Sequence, residues 1–375
     1  MPRLFEPLPL GPLTLRNRIV VAPMCQYMSR DGEAGDWHAV HWGTLALSGA
    51  GLVIVEATAV SPQGRISWAD LGLWDERTQA AIAHALAVAR RHADVPFGIQ
   101  LAHAGRKGAC RQPWDAGGAP LPAEDARAWP VVSASALPYA EGHPLPQALD
   151  EAGIARVVAD FAAAARRAVA LGFDLIELHM AHGYLLHQFL SPLSNQRTDA
   201  WGGPLEHRLR LPLAVFEAVR AAIPAQVALG VRISASDWVE GGWDLAQSAV
   251  LARALDDRGC DYLHVSGGGL DPRQRIPLGP GYQVPFAAAL RREVAMPVVA
   301  VGLITEPVQA ETIVSSGQAD AVALARGLLW NPRWPWHAAA ALGAQADCPP
   351  SYLRAAPHAP GVLRPPPAAD AATPA

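Results

Sequence analysis

Eight short apolar segments recur along this chain, and longer segments with helical periodicity separate them. Each apolar run is too short for a helix, so each predicts a buried strand. Strands that alternate with helices form parallel sheets, and eight of them favour closure into a barrel. We therefore predict the α/β class and a (β/α)8 TIM barrel. The predicted strands are residues 19–23, 52–56, 97–101, 173–178, 227–233, 262–265, 298–301 and 321–324.

The helix predicted at residues 150–171 has the clearest pattern, because its apolar residues recur every three or four positions. Asp150 can cap its start and Gly172 can end it. Pro212 is expected to bend or divide the helix predicted at 205–223. Residues 8–15 alternate around Gly11-Pro12, which predicts a hairpin ahead of the barrel. The other predicted helices are residues 79–92, 245–258, 285–294 and 306–316.

Two segments depart from the strand-helix alternation. Residues 105–149 are rich in Pro, Gly and Ala, and we predict a long excursion after the third strand that covers the active-site face. We assign residues 1–345 to a single barrel domain and 346–375 to a C-terminal tail. The last fifteen or so residues, rich in Pro and Ala, are expected to be disordered.

Charge and composition favour small-molecule chemistry. The formal net charge is −4 and no basic run is present, so neither nucleic acid nor a membrane surface is an expected partner. The cysteines form no CxxC pair, which indicates a reducing compartment. The first residues lack the apolar core of a signal peptide, and Gly49, Gly51 and Glu56 interrupt the most apolar segment. We predict a cytoplasmic protein.

The fourth predicted strand leads directly into His179, His182 and Tyr184. In a parallel barrel the C-terminal strand ends open on the active-site face, so these three side chains are expected to project into the site. They can donate hydrogen bonds or move protons. They are therefore the first candidates for catalysis.

Cationic and glycine residues after later strands predict an anionic cofactor. The last two loops of such barrels often hold a phosphate, for which Gly302 permits close approach and Arg326 supplies a cation. Arg232, at the end of the fifth predicted strand, adds a second positive charge. Gln100 can both donate and accept, which suits the edge of a heteroaromatic ring. The glycine run 267–269 is equally compatible with a simple tight turn.

Other interpretations of these residues stay open. His179 and His182, with His187, could be metal ligands, although no nearby Asp, Glu or Cys completes an open site, so no metal is assigned. One histidine could instead be a packed structural residue. Cys25 could be a buried, inert cysteine.

The motifs at the strand ends match a known family when they are taken together. They are NRIVVAPMCQY (17–27), GLVIVEATAVSPQGRI (51–66), GIQLAHAGRK (98–107), HMAHGYLLHQFLSPLSNQRTDAWGG (179–203), VRISASDW (231–238) and ARGLLWNP (325–332). The sequence resembles the Old Yellow Enzyme family of FMN-dependent ene reductases, and within it the thermophilic-like subclass of NADPH dehydrogenases.

The resemblance implies FMN as cofactor and NADPH or NADH as reductant. It implies that His179 and His182 hold the substrate carbonyl oxygen, that Tyr184 donates a proton and that Tyr27 lines the pocket. Cys25 would tune the flavin. Ala325 stands where the family often has glycine, which is tolerable if its φ is negative. The predicted cofactor contacts are Ala22, Pro23, Met24, Cys25, Ala57, Gln100, Arg232, Gly302, Ala325 and Arg326.

A C-terminal arginine of this subclass reaches a neighbouring subunit's site, two positions after a tyrosine. Tyr352 and Arg354 fit that spacing, which implies substrate binding by Arg354 in a homodimer or homotetramer. The implied reaction reduces the double bond of an α,β-unsaturated carbonyl compound. Two alternatives remain, a metal-dependent barrel hydrolase that uses His179 and His182 and a non-catalytic flavin-binding protein.

Overall fold

A computed structural model of the chain describes residues 1–356 and 358–366. Its strands are β1 Leu8–Leu10, β2 Leu13–Leu15, β3 Ile19–Val21, β4 Leu52–Ala59, β5 Phe97–Ala102, β6 Val132–Ser133, β7 Gln147–Ala148, β8 Leu175–Met180, β9 Ala228–Ser234, β10 Tyr262–Ser266, β11 Val298–Val301, β12 Ala321–Leu324, β13 Ala346–Asp347 and β14 Leu363–Arg364.

Eight of these strands close into the predicted barrel. The order around it is β3, β4, β5, β8, β9, β10, β11 and β12, every pair is parallel, and β12 pairs back with β3. Each predicted strand is found, with ends shifted by three residues or fewer. The (β/α)8 fold is therefore confirmed. We call the end of the barrel formed by the C-terminal strand ends the mouth.

Helices surround the barrel and follow most of the predicted pattern. Asp150 caps α3, accepting a hydrogen bond from the backbone N–H of Gly153 at 2.7 Å, and Gly172 follows the helix with a φ of 79°. The helices are α1 Asp36–Ala46, α2 Glu76–Arg90, α3 Glu151–Ala170, α4 Leu185–Leu190, α5 Leu205–Arg208, α6 Arg210–Ala222, α7 Leu245–Asp256, α8 Val284–Leu290, α9 Pro307–Ser315, α10 Arg326–Trp330 and α11 Trp334–Leu342.

The predicted helix at 205–223 divides at Leu209 and not at Pro212. Pro212 lies in the first turn of α6, where a missing backbone N–H leaves no helical hydrogen bond unmade. Four helices, α1, α4, α10 and α11, were not predicted from the sequence.

The β1–β2 hairpin closes the N-terminal end of the barrel. Leu8, Leu10 and Leu15 are buried against a cluster of side chains inside the barrel, among them Val20 and Leu52. The hairpin predicted at residues 8–15 is thus present. Catalytic groups are therefore expected at the opposite end, the mouth.

The excursion after β5 lies over the mouth, as predicted. It contains short helical turns and the β6–β7 pair. The Gln112 side chain donates to the carbonyl oxygen of Tyr27 at 3.0 Å, and Ser133 donates to Gln188 in α4 at 3.0 Å. These contacts tie the excursion to the loops after β3 and β8.

At the C-terminal side, β13 pairs with β14, so Leu363 and Arg364 within the predicted tail are part of a small sheet. The division of the chain at residue 345 stays a prediction. The disorder expected for the end of the chain concerns mainly residues 367–375, which lie outside the described residues. Among the described helices, none combines the length and the apolar character that a membrane span requires.

Candidate active site

The register of the sheet brings the predicted polar residues to one level near the mouth. His179 in β8 stands opposite Arg232 in β9, and Arg232 stands opposite His264 in β10. Paired positions in neighbouring parallel strands lie side by side and project to the same face of the sheet. Side chains from separate parts of the sequence therefore meet in one layer.

A cavity of about 320 Å³ opens beside this layer. Five of the predicted site residues line it, namely His182, Arg232, Gly302, Ala325 and Arg326. Further lining residues were not predicted as site residues, including Ser266, Tyr282, Gln283, Leu303 and Thr305. The loops after β10, β11 and β12 contribute most of this wall, the region where barrels commonly hold phosphate groups.

The cavity wall suits an anionic cofactor such as FMN. The Arg232 side chain is 7% exposed, and its Nε has no hydrogen-bond partner among the described residues. A buried guanidinium nitrogen without a partner is costly unless a ligand satisfies it. Gly302 has a φ of 123°, and a Cβ there would lie 2.7 Å from the Gln283 amide nitrogen. Ala325 has a φ of −104°, so its methyl group needs no left-handed backbone.

His179 and His182 form a short chain of hydrogen bonds. The Nδ1 of His179 accepts from the backbone N–H of Ala181 at 3.2 Å, so its proton is on Nε2 and points to His182 Nδ1, also 3.2 Å away. His182 then donates from Nε2 to Ser266 Oγ at 2.7 Å. Burial, and next the charge of Arg232, hold the pKa of both histidines well below the ordinary value. Both are neutral donors at pH 7.

Tyr184 stands at the start of α4, beside the histidines. Its ring contacts His179 edge-on, with centroids 4.9 Å apart. Burial, and next the neighbouring Cys25 and Asp70, raise the pKa of the Tyr184 hydroxyl well above its ordinary value. Together with Ala57 and Asp70, Tyr184 lines a second cavity of about 10 Å³, roughly the room that one water molecule needs.

Lys107 is a site residue that the sequence analysis missed. Its ammonium donates to the carbonyl oxygens of His182 at 2.9 Å and Gly269 at 2.8 Å, and lies 5.2 Å from the centre of the Tyr184 ring. Burial lowers the pKa of Lys107 to about 8. Lys107 thus joins the loops after β8 and β10. It lies within the motif at 98–107, but only the fold shows which loops it reaches.

The segment that follows the C-terminal end of β3, at the mouth, carries Ala22, Pro23, Met24, Cys25 and Tyr27. Burial, followed by the charges of Asp70 and Glu56, raises the pKa of the Cys25 thiol well above its ordinary value, so Cys25 is a neutral thiol. The carboxylate of Glu56 accepts a hydrogen bond from the backbone N–H of Gln26 and lies 3.2 Å from Nε2 of His38. This buried contact fixes the loop that carries Cys25 and Tyr27.

Arg354 is not brought to the mouth of its own chain. It is exposed and follows Tyr352, whose ring packs on Trp336 of α11. Trp336 lies against Gly49, just before β4, at the opposite end of the barrel. A cavity of about 330 Å³ also lies at that end of the barrel. Arg16, which lines this cavity, forms ion pairs with Asp94 and Asp347. Within the described residues, Arg354 lines neither mouth cavity.

The histidines are not arranged as metal ligands. Nε2 of His187 lies 2.9 Å from Asp237, and its Nδ1 accepts from the backbone N–H of Gly183. In the part of the chain that the structure describes, no three His, Cys, Asp or Glu side chains form a group that could hold a metal ion. No observation here favours the hydrolase alternative.

The fold and site define an FMN-dependent oxidoreductase built on a TIM barrel. The model of the NADH:flavin oxidoreductase / NADH oxidase family matches residues 3–345. This chain belongs to that family, which confirms the resemblance to the Old Yellow Enzymes. It is an NAD(P)H:flavin oxidoreductase with FMN as cofactor.

Similar proteins agree with this assignment. An NADPH dehydrogenase of Geobacillus thermodenitrificans is 43% identical over 94% of this chain and 98% of its own length. The NADH:flavin oxidoreductase FG08077 of Gibberella zeae is 40% identical over 88% of this chain and 83% of its own. The solved structure of morphinone reductase superposes with a TM-score of 0.75 at 30% identity, over 92% of this chain and 91% of that one.

Proposed function

We propose that this enzyme is an ene reductase that reduces the carbon–carbon double bond of enones, enals, maleimides and similar compounds. The observation that carries the proposal is the contiguous cluster of His179, His182 and Tyr184 beside the 320 Å³ cavity. Two neutral N–H donors and one protonated phenol are the groups that conjugate reduction of a carbonyl compound needs.

The cofactor would be held by residues from six strand ends. Arg326 and the backbone near Gly302 and Ala325 would bind its phosphate, and Arg232 and Gln100 would contact the edge of its ring. Ala22, Pro23, Met24, Cys25 and Ala57 would complete the wall, with Cys25 tuning the flavin as a neutral thiol. When bound, FMN supplies hydride chemistry, taking hydride from NAD(P)H and delivering it to the substrate's β-carbon.

His179 and His182 would bind the substrate carbonyl oxygen through their Nε2–H groups. To do so, each exchanges its present acceptor, His182 Nδ1 or Ser266 Oγ, for the substrate oxygen. Because both rings are neutral, each can donate its N–H to the oxygen and stabilise the negative charge that develops there. Tyr27 would line the opposite side of the substrate pocket.

Tyr184 would donate its hydroxyl proton to the α-carbon. A phenol whose pKa is raised by burial is protonated throughout the physiological range and is ready to act as an acid once a carbanionic carbon forms beside it. We further propose a cytoplasmic homodimer or homotetramer in which Arg354 of one subunit reaches the substrate of another.

Spectroscopy under anaerobic conditions tests this function. The purified protein is expected to carry FMN, to lose its yellow colour on addition of NADPH or NADH, and to regain it when 2-cyclohexenone is added. A protein that binds FMN but does not react with nicotinamides would instead be a flavin carrier. A protein that is bleached by NADPH but is not recoloured by enones, enals or maleimides would contradict ene reduction while leaving the oxidoreductase assignment intact.

A further inference from the structure

A buried carboxylate lies directly behind the proposed flavin contacts and has no role in the mechanism above. Glu177 in β8 points into the barrel and is 0% exposed. It stands opposite Gln100 of β5 in the sheet register, two residues before His179. An ionised group at this depth needs several compensating partners.

Three donors from two strands, β5 and β10, surround the Glu177 carboxylate. Its Oε1 accepts from the Gln100 side-chain nitrogen at 2.7 Å, and its Oε2 accepts from the Tyr262 hydroxyl at 2.8 Å and His264 Nδ1 at 2.9 Å. Tyr262 reaches it because Gly230 lies in between, where a Cβ would stand 1.9 Å from the Tyr262 ring. The fold thus leaves space in β9 for this contact.

The ionisation state of Glu177 follows from these neighbours. Burial alone raises the pKa of the carboxyl, but the His264, Arg232 and Tyr262 side chains outweigh burial and hold the pKa below its ordinary value. Burial and the charge of Arg232 lower the pKa of His264, so this imidazole is a neutral donor. Within this layer, Glu177 therefore carries the negative charge that balances Arg232.

An ionised carboxylate can only accept hydrogen bonds, and this fixes the orientation of Gln100. Its NH2 group must face Glu177, so its carbonyl oxygen Oε1 is left to face the cofactor as an acceptor. A glutamine at position 177 would not impose this choice, because its own amide could turn either way.

We propose that Glu177 is the positioning residue that orients the Gln100 amide toward FMN and neutralises Arg232, and that it thereby sets the redox potential of the bound cofactor. Reduction adds negative charge to FMN, and an uncompensated Arg232 would favour the reduced form. This inference rests on the proposed contacts of Gln100 and Arg232 with FMN, but not on the identity of the substrate.

Glu177→Gln and Glu177→Asp separate the two roles in the holoenzyme. Glu177→Gln removes the charge, so the ratio of the FMN dissociation constants, oxidised over reduced, should rise at least tenfold. For a two-electron couple, a tenfold rise corresponds to a redox potential of bound FMN that is about 30 mV more positive. Glu177→Asp keeps the charge, but its shorter side chain moves the carboxylate away from the Gln100 amide. Oxidised FMN should therefore bind roughly tenfold more weakly, with a smaller change in the ratio.

Asp174→Asn is the matched control. Asp174 lies just before β8 at the far end of the same strand, where it accepts from the backbone N–H of Phe97 and from Arg90. Its replacement should leave the potential unchanged. The inference is overturned if Glu177→Gln shifts the potential no more than Asp174→Asn, or shifts it in the negative direction.

Two further variants keep the outcome interpretable. If Glu177→Gln does not fold, Tyr262→Phe at pH 8 takes its place. This variant removes one donor to Glu177, so the negative charge is less screened and the ratio of the FMN dissociation constants, oxidised over reduced, should fall. A ratio that is unchanged or higher would overturn the inference. Gln100→Ala should weaken FMN binding whatever Glu177 does. If Gln100→Ala binds FMN as tightly as wild type, Gln100 does not contact the flavin. The proposed contact then fails together with the role of Glu177.

Discussion

The ring of Tyr184 stands edge-on to the imidazole of His179, with centroids 4.9 Å apart and ring planes at 89°. His179 is the last residue but one of the buried strand β8, whereas Tyr184 is the N-cap residue of helix α4. The turn between them places a proton donor and a hydrogen-bond donor on one side of the cavity. Because the contact with His179 is made by the ring, Tyr184→Phe can remove the hydroxyl and keep the contact.

Tyr184→Phe should slow the reduction of enones and leave the reduction of FMN by NAD(P)H nearly unchanged. The variant keeps the ring and its contact with His179 but has no proton to give, so we expect a loss of roughly 10²- to 10⁴-fold in the second half-reaction. Stopped-flow measurements of the two half-reactions check this. Tyr139→Phe is a suitable control, because Tyr139 also packs on Lys107. Equal losses in both half-reactions would argue against a proton donor.

Replacing both His179 and His182 with Ala should abolish the binding of phenols, which imitate the enolate formed in the reaction. In the proposed complex each histidine would supply an N–H donor to the oxygen, and the loss of one such donor typically costs roughly 10²- to 10³-fold in rate. The charge-transfer band of the complex between phenol and oxidised FMN reports binding. If the double variant keeps its FMN and shows an unchanged band, the histidines do not hold the oxygen.

Arg354 can be tested by subunit complementation. Arg354→Ala alone and Tyr184→Phe alone should both be impaired. If Arg354 serves a neighbour's site, a mixed dimer of the two variants contains one site with both native residues, so co-expression should restore up to half of the wild-type activity per mixed dimer. Arg354 acting in its own chain would give no restoration, since neither site would then hold both residues.

Asp70 should make stability depend on pH. Burial raises the pKa of Asp70 to about 7, although hydrogen bonds from Ser67 and Ile66 oppose this. A carboxyl whose pKa is higher in the folded state favours folding at low pH, and this contribution is lost as pH rises from about 4 to about 7. Asp70→Asn does not titrate. Its free energy of unfolding relative to wild type should therefore improve by a few kcal/mol between pH 5 and pH 8 in denaturant titrations with excess FMN. A difference that stays constant over this range would show that Asp70 is ionised throughout.

The barrel could be predicted because its strands are short, apolar and separated by helices, as in Val298–Val301 and Ala321–Leu324. Helix α1 was missed since its buried residues, His38, Trp42, Leu45 and Ala46, include a histidine and give little amphipathic contrast. The break at Leu209 depends on local turn geometry that Pro212 does not reveal.

The site was predictable where a polar residue lies at or just after the C-terminal end of a strand, as for His179, Arg232 and Arg326. Residues whose contacts join distant segments of the chain could not be predicted from the sequence. Lys107 and Asp70 stand in loops whose positions in space only the fold determines. Glu177 gave one signal, a carboxylate in the middle of a mostly apolar strand. Its partner Tyr262 lies 85 residues away in the sequence.

Isotope placement tests the central claim most directly. When an enone is reduced in D2O with unlabelled NADPH, deuterium should appear at the α-carbon of the product and ordinary hydrogen at the β-carbon. In the proposed mechanism, hydride comes from the cofactor, whereas the proton comes from the exchangeable hydroxyl of Tyr184. Mass spectrometry and NMR of the product give the positions. Deuterium at the β-carbon, or no reduction of the double bond by the FMN-loaded enzyme, would contradict the mechanism.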